Sequence, residues 1–104
     1  QESADVKSTY WLSTALVDSA LTGLTAVELR DQLQRHRIQT RRLWQPMHQS
    51  PAHRGCQSIL TGVADRLFET ALSFPSSPNL TPDSLERIHE TLRQLLPVRA
   101  RSAA

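Results

Sequence analysis

This sequence predicts a small mixed α/β (α+β) domain, a short sheet with helices packed on it, and three features carry that expectation. Residues 10–17 (YWLSTALV) are aromatic and β-branched enough to be a strand, apolar on both faces and therefore expected to be buried. Residues 25–28 (TAVE) make a capping box, with Thr25 as N-cap and Glu28 at N3, where each side chain can satisfy a backbone donor of the other. Thr81 followed by Pro82 is a second helix start, because proline at N1 loses only an N–H that has no intrahelical partner.

The remaining elements follow in order. Residues 1–9 read as a leader or cut linker, the domain proper as 10–97, and 98–104 as a frayed tail. Gly23 breaks the chain after the first strand. The helix opened by Thr25 carries Val27, Leu29 and Leu33 on its apolar side and runs to about Arg35. Residues 38–41 can form a short strand, and 52–60 show no period and read as a loop. Val63, Leu67, Phe68 and Leu72 support a helix over about 62–71, followed by the brief apolar run 72–74, which Pro75 and Pro78 stop. Leu85, Ile88, Leu92 and Leu95 keep helical spacing until Pro97 ends the last helix. Strand, helix, strand, loop, helix, strand, helix is the order of a two-layer sandwich.

Composition narrows the function classes. At 104 residues the chain is one domain at most, or a piece of a larger one. With 38% hydrophobic and 21% charged residues, wholesale disorder is excluded. Cys56 is the one cysteine, so an internal disulfide is impossible, and no Cys/His metal framework is present. The apolar runs are too short to span a bilayer and the start has no signal pattern, so a reduced, cytoplasmic setting is expected. The missing initiator Met and the abrupt start suggest a processed, truncated or partial chain. The net charge is +2, nearly all its cations are arginine, and Lys7 is the one lysine. Arg35, Arg37, Arg41, Arg42 and Arg54 could grip phosphate, which leaves a small basic nucleic-acid-binding module as an alternative reading. A solvated face is the ordinary fate of such a cluster.

Residues 38–51 (IQTRRLWQPMHQSP) are the most informative segment. Pro46 and Pro51 each set φ and remove a donor, so the segment is a shaped loop rather than a helix. Two arginines, Trp44 and His48 on such a loop suit an anionic, partly apolar ligand. The alternative is Trp44 in the core or at a subdomain contact, with the arginines solvated.

Three blocks resemble the C-terminal domain of the DegT/DnrJ/StrS family of pyridoxal-phosphate-dependent nucleotide-sugar aminotransferases. Residues 10–13 (YWLS) are similar to its first strand after the linker. Residues 38–48 (IQTRRLWQPMH) are similar to the pattern I-E-S-R-P-L-W-K-P-M-H. Residues 63–76 (VADRLFETALSFPS) with 79–81 (NLT) are similar to V-A-E-x-L-F-x-x-G-L-x-L-P-S-G-S-N-L-T. The resemblance implies the small C-terminal domain of a fold-type I aminotransferase, acting as a homodimer beside a large domain that holds pyridoxal phosphate on a lysine. The implied reaction moves an amino group from glutamate to a nucleotide-linked keto-sugar. The W-K-P-M-H form of the loop points to 4-amino-4,6-dideoxy sugars for surface glycans. Arg41, Leu43, Trp44, Pro46, Met47 and His48 match the loop. The resemblance places Arg41, Trp44 and His48 near the substrate: Arg41 on a carboxylate or phosphate, His48 on a sugar hydroxyl or phosphate, Trp44 as a wall, and Met47 as packing.

The chain also departs from the pattern. Arg42 stands where proline is usual and is expected to loosen the loop, Gln45 replaces a lysine, Ala71 a glycine, and Ser77 and Pro78 a Gly-Ser pair. Such an enzyme needs an amine for the cofactor imine and a carboxylate for the pyridinium nitrogen. Lys7, in a polar leader, is expected to be solvated, so the chain alone is expected to hold no cofactor covalently and to be inactive. An inactive remnant folded only against a lost partner domain is a further alternative; its sign would be a molten or aggregating isolated chain, since strand 10–17 and Trp44 would then be partly uncovered. His36 at a helix end, His53 in a loop and His89 on the last helix are expected to be ordinary surface histidines.

Overall fold

The computed structural model describes residues 4–96. Three strands form one sheet in the order β1–β3–β2, with β1 at Ser13–Leu16, β2 at Arg41–Arg42 and β3 at Ala71–Phe74. Both outer strands run antiparallel to β3, which places β1 and β2 parallel to each other on either side of it. The helices are α1 (Ser19–Thr22), α2 (Ala26–Arg35), α3 (Val63–Thr70) and α4 (Pro82–Leu95). The mixed α/β class is as expected.

The sheet is organised by β3, whose Ala71 and Leu72 are fully buried and whose Ser73 is nearly so. Its register pairs Thr14 with Ser73, and their hydroxyls bond at 2.8 Å. The Val17 N–H donates to the Thr70 carbonyl at 2.7 Å and carries the pairing one step beyond β1. Polar pairing inside a buried strand is tolerated because each hydroxyl has a partner.

Helix α2 packs on β3 and also meets α3 and α4. Leu29 and Leu33, on its inner face, are buried together with Val17, Ala26, Ile38, Leu72 and Ile88. Full burial of one such leucine is worth roughly 1.5–3 kcal/mol. Ala26, rather than the half-buried Val27, is the third buried residue of this face.

Both helix starts form as the sequence predicts. The Thr25 N–H donates to Glu28 Oε2 at 2.8 Å, and the Glu28 N–H returns to Thr25 Oγ1 at 3.2 Å. The Thr25 N–H, and the Thr25 hydroxyl donating to the same Oε2 at 2.8 Å, hold the Glu28 carboxyl below its ordinary range. At α4, Thr81 Oγ1 accepts from the Ser84 N–H, with proline in the first turn.

The end of α2 is a Schellman motif without glycine. The Ile38 N–H donates to the Leu33 carbonyl and the Arg37 N–H to Gln34, while Arg37 holds φ at 58°. A non-glycine residue there costs roughly 1–2 kcal/mol. The wrap drives Ile38 into the core beside Leu33. Arg87 of α4 then donates to the His36 carbonyl at 3.0 Å, tying the two helices at the cap. His36 and His89 are both exposed, as expected.

Several expectations are corrected. The first strand covers 13–16 rather than 10–17, and all four of its residues are exposed because it is an edge strand with no layer over its outer face. Helix α1 has no counterpart in the sequence reading. It is a single turn capped by Asp18, which accepts from the Ala20 N–H, and closed by left-handed Gly23. The second strand is only Arg41–Arg42, since the Schellman turn occupies 36–38. Residues 47–49 and 51–53 are two short 3₁₀ turns, the second leading into the open loop. The expected stop at Pro97 and the tail 98–104 lie outside the described residues, as do residues 1–3 of the leader.

Candidate substrate cleft

The short strand β2 sets the site because its pleat sends two neighbouring arginines in different directions. Arg42 turns onto α3. Its Nε and Nη2 donate to the Phe68 carbonyl at 3.2 and 2.8 Å, and its guanidinium sits 3.8 Å from the centre of the Phe68 ring. The side chain that was expected to loosen the loop therefore clamps it, by satisfying a carbonyl at the end of α3. Arg42 keeps its charge and borders the same cavity as Arg41, but two of its donors are committed to Phe68 rather than open to a phosphate.

Arg41 stays exposed and lines a cavity of about 510 Å³ together with Trp11, Gln39, Trp44, Phe74 and Ser76. The Trp11 and Trp44 ring centroids lie 6.1 Å apart with planes inclined at 40°, a tilted aromatic contact. Yet the two residues are 71% and 69% exposed, so Trp44 is not a core side chain. Ser76 Oγ donates to the Trp11 carbonyl at 3.0 Å and fixes the backbone from which that ring projects.

Beyond Trp44 the chain passes buried Pro46, whose φ is −55°, and enters the turn Met47–Gln49. There a second cavity of about 580 Å³ opens, lined by Met47, His48, His53, Cys56, Leu60 and Ala64. His48 Nε2 lies 2.9 Å from Asp65 Oδ1, and Gln49 Nε2 donates to the same oxygen at 2.6 Å. The Gln49 amide is the largest influence holding the Asp65 carboxyl below the usual aspartate range; desolvation opposes it, and the hydrogen bond and charge of His48 add smaller effects in the lowering direction.

The structure thus brings Arg41 and Trp44 into one cleft and sets His48 in a neighbouring one, with the loop running between them. Met47 was expected to pack, but it is mostly exposed at the mouth of the second cleft. Trp11 and Asp65 were not singled out from the sequence. Trp11 looked like part of a buried strand, and only the β1–β3–β2 order brings it across to Trp44. Asp65 stands in the first turn of α3, where an acidic residue is ordinary and gives no sign of a distant partner. No group of three or more metal-ligating side chains occurs among the described residues, and no described helix is long and apolar enough to cross a membrane.

The comparisons with known proteins agree with this architecture. EpsN of Bacillus subtilis (strain 168), a candidate pyridoxal phosphate-dependent aminotransferase, is 30% identical over 96 residues, covering 85% of this chain and 23% of its own length. The chain therefore spans about a quarter of the curated relative it matches. The model of the DegT/DnrJ/EryC1/StrS aminotransferase family matches residues 1–93, so the chain belongs to that family.

Proposed function

We propose that this chain is the C-terminal part of a pyridoxal-phosphate-dependent enzyme that transfers an amino group from glutamate to a nucleotide-linked keto-sugar. The observation that carries the reading is the first cleft. An exposed arginine can grip a phosphate or carboxylate bidentately, and two tryptophan faces beside it suit the apolar face of a sugar or a base. His48, in the adjoining cleft, supplies a polar contact for the same elongated ligand.

In this reading the chain supplies no amine for the cofactor. Lys7, the one lysine of the sequence, is exposed ahead of β1 and lines neither cleft. In this reading the imine-forming lysine and the partner of the pyridinium nitrogen belong to the cofactor-bearing domain, and the isolated chain is inactive. The uncovered Trp11–Trp44 pair, with Tyr10 and Leu16 also exposed on this part of the chain, supports docking against such a domain. The Cα radius of gyration, 16.6 Å, also exceeds the roughly 13 Å expected of a compact chain of this length. Assembly as a cytoplasmic homodimer, and a role in making amino sugars for surface glycans, complete the proposal.

Both tryptophans of the sequence line the first cleft, so intrinsic fluorescence reads that cleft directly. Titration with UDP-N-acetylglucosamine is expected to give a saturable change. Arg41→Ala should weaken it about 10- to 100-fold, the worth of a charge-assisted bond of roughly 1.5–3 kcal/mol. A response that is absent, or identical in Arg41→Ala, refutes the assignment.

A further inference from the structure

We propose that Asp65 is a positioning residue: it holds the His48 imidazole as the Nε2–H tautomer, leaving Nδ1 to accept a hydrogen bond from a hydroxyl of the bound sugar. The proposal rests on the reading above, in which His48 meets the ligand, and it selects between the two contacts open to that side chain.

The argument begins with donors and acceptors. Two side chains converge on one oxygen, Asp65 Oδ1, with Gln49 Nε2 at 2.6 Å and His48 Nε2 at 2.9 Å. An ionised carboxylate can only accept, so both nitrogens must carry the hydrogen. Asp65 is ionised at neutral pH, because these bonds favour its charged form. A neutral imidazole has one N–H, so a hydrogen at Nε2 makes Nδ1 the acceptor. Nδ1 has no hydrogen-bond partner among the described residues.

Placement supports the same conclusion. Asp65 lies in the first turn of α3, seventeen residues from His48, and both side chains are about three-quarters to two-thirds shielded from solvent. His48 also lines the second cavity, where most of its neighbours are apolar or weakly polar: Met47, Cys56, Leu60 and Ala64. In such surroundings an imidazole lone pair of fixed direction discriminates. It welcomes a hydroxyl and, while neutral, repels a phosphate oxygen, which also presents only lone pairs. Phosphate recognition then falls to Arg41 in the first cleft and hydroxyl recognition to His48 in the second. Gln49 has a supporting part, since its amide donates to the same carboxylate oxygen and steadies it.

The test is a long-range proton–nitrogen NMR spectrum of the ¹⁵N-labelled chain at about pH 8.5, some two units above the ordinary histidine value of about 6.5. His53 and His89, both exposed, serve as internal references for an unconstrained imidazole. The expected result is a wider separation between the Nδ1 and Nε2 shifts of His48 than of His53 or His89. In Asp65→Ala that separation should shrink to the reference value while the amide resonances of Leu33 and Leu72 keep their positions. A wild-type His48 that matches the exposed histidines overturns the proposal without any variant, as does an unchanged His48 in a folded Asp65→Ala. A second arm adds either UDP-N-acetylglucosamine or inorganic pyrophosphate. Movement of the Nδ1 resonance with the sugar nucleotide alone supports the hydroxyl contact. Movement with pyrophosphate, or with neither probe while the tryptophans report binding, overturns it. Silent tryptophans overturn the substrate reading and the hydroxyl contact with it; the tautomer result needs no ligand and is decided separately.

Discussion

Replacing Arg42 by methionine should destabilise the chain by about 2–3 kcal/mol. The substitution keeps a flexible apolar stem over Phe68 and removes only the charged fork. Two guanidinium nitrogens share the Phe68 carbonyl at 3.2 and 2.8 Å, so they count as one charge-assisted contact, worth roughly 1.5–3 kcal/mol. The stack on the ring, at 3.8 Å, adds about 0.5–1 kcal/mol at a half-exposed site. The methionine stem recovers some packing, and ordering the arginine had an entropic cost, so the lower part of the summed range applies. Equilibrium urea unfolding reads the change: with a slope of about 1–2 kcal/mol per molar, the midpoint should fall by roughly 1–3 M. Phe68→Leu removes the stack and keeps the carbonyl, and the double-mutant coupling between the two sites should be about 0.5–1 kcal/mol. An unshifted midpoint in Arg42→Met would show that the clamp contributes nothing and that the loop is held by its prolines alone.

Two other outcomes follow from the polar groups. Thr40 is buried and its Oγ1 has no hydrogen-bond partner, so the nearly isosteric Thr40→Val should raise stability by about 1 kcal/mol in the same urea assay; a loss would reveal a bound water or another partner. Glu28 and Asp65 have folded-state values depressed below their unfolded ones of about 4.3 and 3.9. Their stabilisation is therefore complete above about pH 5 and is lost as pH falls through the depressed values. Below pH 4 a Glu28→Gln, Asp65→Asn double variant should lose stability less steeply than the wild type, and parallel curves would contradict the assignment.

Local signals were read well where the chemistry is local. The capping box of Thr25 and Glu28 and the Thr81–Pro82 start each need only residues within one helical turn, and both form. The loop holding Arg41, Trp44 and His48 was also visible, because proline geometry and side-chain type need no distant partner. Residues 10–17 were misjudged for a physical reason: apolar side chains on both faces describe a strand that something must cover, and the chain itself does not cover it. Arg42 was misjudged because its acceptor is the end of a helix twenty-six residues away.

The amino-acid order alone thus established the mixed class, the principal helices and the composition of the proline loop, since these depend on periodicity, caps and covalent restriction of φ. Folding in three dimensions settled which arginine is free and which is clamped. It paired Trp11 with Trp44 across the sheet and set Asp65 against His48. Such contacts depend on strand order and register, which no window of neighbouring residues contains.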